Sequence, residues 1–153
     1  MSKAILPFKV HSVNHTGFTV SSLDQILLFF RDALGFETTD KIRLPTHVSE
    51  KITGVKDAVV TIVFVAAPGH RIEFIEFSYP TGSPTIQSRP CDIGFTHLAL
   101  DVDDIDKALA FAGQYGFTAI NPPQLTPSGR RISFATNSDG ITLEFIQPAP
   151  TVA

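Results

Sequence analysis

Two stretches of the chain, Val13 to Val20 and Gly94 to Val102, alternate apolar and polar side chains with a period of two, and each predicts a β-strand. A segment of helical spacing follows each. In the first, Ser22 with Gln25 three residues on makes a capping-box start, Ile26, Phe29, Phe30, Ala33 and Leu34 mark an apolar stripe, and Gly35 suits the C-terminal stop. In the second, Asp103 or Asp104 caps, Ile105, Ala108, Leu109 and Ala112 form the stripe, and Gly116 ends it. Three more strands are predicted in each half, roughly 36–44, 58–66 and 71–77, then 118–125, 131–136 and 142–147. Each half therefore reads as a βαβββ unit. Between them, 78–92 carries three prolines, a glycine and small polar residues and predicts a linker. The expected organisation is one domain over 10–153, with module 1 at 10–80 and module 2 at 92–148. Two other loops, 45–57 and 121–129, are long for their context, as lids beside a cleft often are.

The two halves also repeat in sequence. His15, four residues, Val20, two polar residues, Leu23 and Asp24 align with His97, four residues, Val102, Asp103, Asp104, Ile105 and Asp106. Leu34-Gly35-Phe36 matches Tyr115-Gly116-Phe117. At the end of each half, Gly69, three residues, Glu73 and Phe74 match Gly140, three residues, Glu144 and Phe145.

Composition narrows the classes. A content of 43% apolar residues and 13 Phe can fill an interior, and 153 residues suffice for one core or two packed half-domains. The formal charge of −3 gives no general attraction to phosphate backbones or anionic lipid, so no nucleic acid and no membrane partner is expected. The longest apolar run, Val59 to Ala67, stops at Pro68-Gly69, well short of the roughly 20 residues of a spanning helix, and predicts a buried strand. The single Cys91 cannot close an intramolecular disulfide and has no activating base near it in sequence. With no apolar signal core at the N-terminus, a cytoplasmic setting is expected.

The chemistry sits where the repeat is strictest. His15 and His97 occupy equivalent points of the first strand of each module, and Glu73 and Glu144 equivalent points of the last. Alternation puts His15 with Gly17 and Thr19, and His97 with Ala99 and Asp101, opposite the bulky set Phe18, Val20, Leu98, Leu100 and Val102. Pairing the modules about a pseudo-twofold axis predicts that the four side chains converge. Two imidazoles and two carboxylates form an N2O2 set suited to one divalent metal ion, with positions left for water or substrate. Zinc, nickel, cobalt, manganese and iron all accept such a set. Glu76 lies on the opposite face from Glu73, and only a bulge or register shift would make it the ligand instead. Arg43, His47, Arg130 and Arg131 are candidate contacts for an anionic substrate group.

At these residues the sequence resembles the vicinal oxygen chelate superfamily, which includes lactoylglutathione lyase, methylmalonyl-CoA epimerase, extradiol dioxygenases and the fosfomycin and bleomycin resistance proteins. The likeness runs from about Val13 to Pro148 and is strongest at 15–20, 71–80, 96–105 and 139–148. It implies an α+β fold in which two tandem βαβββ modules form an incompletely closed, cupped barrel of eight strands with a metal inside. Carried over residue by residue, the ligands would be His15, Glu73, His97 and Glu144. Retention of all four implies the lyase and epimerase branch, which moves a proton next to a carbonyl, with Glu144 as the base and Glu73 as its partner acid. The alternatives are a non-catalytic binder of an antibiotic or metabolite and an iron-dependent dioxygenase. The resemblance further implies a small-molecule substrate and a homodimer in which the ligands can come from two chains.

Overall fold

The computed structural model describes residues 7–150. Strand β1 (Thr16–Val20) leads into helix α1 (Leu23–Leu27), whose start is capped by Ser22, its Oγ accepting from Gln25 N at 3.3 Å. The helix then widens into π-helical turns over Leu28–Ala33, with Leu34 N donating to Phe29 O. That widening lets the adjacent Phe29 and Phe30 both reach the interior, where they are 2% and 1% exposed. Gly35, at φ 72°, makes the left-handed turn out. Next come β2 (Glu37–Thr38), β3 (Ile42–Arg43), α2 (Thr46–Thr53), β4 (Val59–Ala67) and β5 (His70–Tyr79). Module 2 follows with β6 (Leu98–Asp101), α3 (Ile105–Gly113), β7 (Thr118–Ala119), β8 (Gln124–Leu125), β9 (Arg131–Thr136) and β10 (Thr142–Gln147). Of the two possible caps for α3, Asp104 is the one used, accepting from Lys107 N at 3.0 Å.

Each module makes one open sheet. The orders are β1-β5-β4-β2 with β3 also on β4, and β6-β10-β9-β7 with β8 also on β9. The first strand of each module lies parallel to its last, Gly17 beside Glu73 and Ala99 beside Glu144. The architecture is the expected α+β one of two βαβββ modules, with two corrections of detail. Among the described residues ten strands stand where eight were expected, because the second strand of each module breaks in two. In module 1 the break is held by Thr39, which donates from its N to Phe64 O and accepts from Phe64 N at its Oγ1. In module 2 Ile120 N donates to Phe134 O, and Ser133 Oγ donates to Asn121 O. The expected loop 45–57 holds helix α2, which the pattern missed because its buried position is Ser49 rather than an aliphatic residue.

One core joins the modules. Leu23, Ile26, Phe29 and Phe30 of the first helical segment, Val63, Val65, Ile72 and Phe74 of sheet 1, and Ile105, Phe117, Leu143 and Phe145 of module 2 belong to a single cluster. Phe29 stands 5.0 Å from Phe117 and 5.8 Å from Tyr115, ring centre to ring centre. A smaller cluster, Ala58, Val60 and Ile62 with Leu44, Val55, Phe64, Ile75 and Phe77, lies on the other face of sheet 1. The linker is exposed but anchored, since Gly140, at φ 78°, lets the Ile86 carbonyl approach where a Cβ would collide with it. Among the described residues no helix is long and apolar enough to cross a membrane.

Candidate functional site

Alternation along β1 and β5 sends Phe18, Val20, Ile72 and Phe74 into the shared core and leaves His15, Gly17, Glu73 and Ile75 on the opposite face, called here the site face. There His15 Nε2 lies 3.1 Å from Glu73 Oε2. Gly17 lies beside Glu73 on the neighbouring strand, and a Cβ on it would stand 3.5 Å from Glu73 Oε2, an ordinary contact. Module 2 repeats the arrangement, with His97 Nε2 3.1 Å from Glu144 Oε2. In both pairs the carboxylate is the more sheltered member, 15% and 17% exposed against 33% and 37% for the imidazoles.

A third member of each pair went unnoticed in the sequence. Phe64 sits opposite Glu73 across β4 and β5, and its ring meets His15 edge-on at 5.5 Å. Phe134 sits opposite Glu144 across β9 and β10, 5.1 Å from His97. These are the two phenylalanines at which the neighbouring strand breaks. A phenylalanine nine residues before Glu73 and another ten before Glu144 was the signal available.

The expected set of four is thus built as two halves. The structure brings His15 to Glu73 and His97 to Glu144, and among the described residues it gathers no group of three or more such side chains. The reason is the packing of the modules. They share one core, built from their helical segments and the helix-covered faces of both sheets, so each pair lies on the face of its sheet turned away from that core.

Glu76 and the four candidate cations resolve by face. Glu76 Oε2 accepts from Leu23 N at 2.7 Å and so caps α1, as Gln147 Oε1 does for Ile105 N at 3.0 Å in module 2. Arg43 pairs with Thr61, which faces Glu76 rather than Glu73. Arg131 is held bidentately by Asp106 on α3 at 2.6 and 3.0 Å. His47 and Arg130 are exposed, on α2 and in the β8–β9 turn.

The donor chemistry fits a divalent metal. Bonds of about 2.1 Å at right angles set neighbouring ligand atoms about 3 Å apart, which is the separation within each pair. His15 Nδ1 lies 2.7 Å from Asn14 Oδ1, which leaves Nε2 as the ring atom facing the Glu73 carboxylate. Two electron-rich atoms at that distance call for a cation or proton between them.

A family description, "Glyoxalase/Bleomycin resistance protein/Dioxygenase superfamily", matches residues 12–145. Solved structures share the fold. A glyoxalase family protein from Bacillus cereus is 20% identical, with 96% of this chain and all of that one covered and a TM-score of 0.80. Glyoxalase I from Zea mays, as a mutant, is 23% identical over 89% of this chain and 44% of that one, at 0.63. A fosfomycin resistance protein from Listeria monocytogenes is 14% identical over 90% and 93%, at 0.62. No curated protein matches the chain in sequence.

Proposed function

The chain belongs to the glyoxalase/bleomycin resistance protein/dioxygenase superfamily, and on that premise we propose that it is a divalent-metal-dependent isomerase or lyase. Its reaction removes a proton α to a carbonyl of a small oxygenated substrate. The observation that supports this reading is the duplicated His–Glu pair, built alike in two modules at the same 3.1 Å separation. His15, Glu73, His97 and Glu144 together would hold the ion. When bound, the metal supplies Lewis acidity that stabilises negative charge developing on substrate oxygen.

The chain's own residues do the rest. The two imidazoles keep their Nε2 atoms on the site face, each braced by a phenylalanine ring. Glu144 acts as general base and takes the α-proton on a carboxylate oxygen, and Glu73, placed equivalently in the other module, returns a proton as acid. Symmetric placement of two carboxylates lets protons reach either face of a planar intermediate, as epimerisation needs. Because one chain turns its two pairs away from each other, the four-ligand site is assembled between two copies. The His15–Glu73 pair of one copy then faces the His97–Glu144 pair of the other.

Elemental analysis of protein prepared without chelator tests the reading. About one divalent ion per chain is expected, lost in His97→Ala. Absence of metal from wild-type protein even after reconstitution overturns it, and full turnover by Glu144→Gln on an identified substrate overturns the choice of base.

A further inference from the structure

On the site face of β5, two residues before Glu73, stands Arg71. Its guanidinium carbon lies 4.0 Å from the centre of the Phe64 ring, the same ring that braces His15. The cation is therefore no farther from the imidazole than those two short centroid distances combined. Phe64 also faces Glu73 across the strands, so Arg71, Phe64, His15 and Glu73 form one cluster. Three of the other arginines are taken up by carboxylates, Arg31 by Asp32, Arg89 by Asp92 and Arg131 by Asp106, while Arg43 and Arg130 lie outside this cluster. Arg71 makes no ion pair among the described residues, and Glu37, in the same row of sheet 1, is two strands away.

We propose that Arg71 is the anion-binding residue of this site and seats a carboxylate of the substrate beside the His15–Glu73 pair. Stacking on Phe64 limits the arginine's freedom while leaving its N–H edges for two parallel hydrogen bonds to a planar carboxylate. The approach is open. Arg71 is itself an exposed residue, so its N–H edges can be reached from solvent.

Module 2 carries no second such cation. The position equivalent to Arg71 is Thr142, 2% exposed and 3.0 Å from Thr136 through its hydroxyl. A site made from one copy of each module therefore has a single anion seat on the module 1 side, which orients the substrate. This inference rests on the proposed function and sharpens its substrate class to a small oxygenated acid whose free carboxylate lies within a few bonds of the reacting carbonyl.

The test is calorimetric titration with malonate and with its neutral analogue malonamide, on protein with and without chelator treatment. Wild type is expected to bind malonate in both states and to ignore malonamide. Arg71→Gln should bind malonate about tenfold or more weakly, and Arg71→Lys should fall between, since a point charge replaces a fork. Both variants should keep the wild-type metal content and melting curve. Equal malonate binding by Arg71→Gln, equal binding of malonamide by wild type, or no binding of malonate by wild type in either state overturns the proposal. Metal content of the untreated protein separates the two readings: malonate binding through Arg71 by protein that holds no metal before chelator treatment or after reconstitution leaves the anion seat standing and removes the four-ligand site.

Discussion

Glu76 follows Glu73 by three positions, and on a strand that spacing sends them to opposite faces with opposite duties. Glu73 meets His15, whereas Glu76 accepts the first backbone N–H of α1. Replacing each by Ala should therefore divide two effects. Glu76→Ala leaves the Leu23 N–H without its charged acceptor and is expected to lower unfolding free energy by about 2 kcal/mol while metal content is unchanged. Glu73→Ala is expected to do the reverse, losing metal with little loss of stability. Urea midpoints and elemental analysis on both variants check the division. The His and Glu residues were legible in the sequence because the repeat marked them twice. Arg71 was not, because its counterpart is a threonine, and the sequence directed attention to cations in loops or at strand ends instead.

At the scale of elements, the sequence showed helix starts well because capping chemistry is local: Ser22 caps as its spacing from Gln25 implied, and of the two candidates Asp103 and Asp104 the second is the cap. It showed strand continuity poorly. The breaks at Thr39 and Ile120 depend on hydrogen bonds to Phe64 and Phe134, and those partners are far away along the chain. Arg131 likewise belongs to the fold through a distant partner, tying β9 to α3 through Asp106. Its hydrogen bonds hold the Asp106 carboxyl below the ordinary value of 3.8. A carboxyl lowered in the folded state stabilises fully above its unfolded value and loses that contribution as pH falls through its folded value. Arg131→Gln should therefore be less stable than wild type at pH 7, and the difference should shrink as pH drops below about 4. Urea titrations at pH 7 and near pH 3 measure it; a difference that does not change with pH would mean that Arg131 stabilises through its packed stem instead.

For the molecule as a whole, the decisive contact is the shared core, where the helical segment of module 1 meets the turn that follows α3. Phe29 is 2% exposed and touches both Phe117 and Tyr115 of the other module. Phe29→Ala is expected to cost about 3–5 kcal/mol and, because one core serves both modules, to lower a single cooperative unfolding transition rather than split it in two. Circular dichroism and tryptophan-free near-ultraviolet signals of the aromatic cluster should move together. A melt in two steps, with one module surviving, would show that the modules are energetically separate.

The same packing decides where a complete site can form. The repeat made two halves of a site legible, but nothing in a repeat says whether a half meets its complement in its own chain or in another. Because the shared core occupies the helix faces, the pairs His15–Glu73 and His97–Glu144 look outward from one chain, and the proposed site needs two copies. Complementation distinguishes the cases. A chain carrying His15→Ala is defective in module 1 only, and one carrying His97→Ala in module 2 only. In a two-chain site, a dimer of one of each pairs the two intact modules at one site and the two defective ones at the other. Unfolding the variants together and refolding an equal mixture gives about half mixed dimers, so about a quarter of all sites should regain metal although neither variant alone holds it. If each site is built within a single chain, every site keeps one lesion and the mixture stays empty.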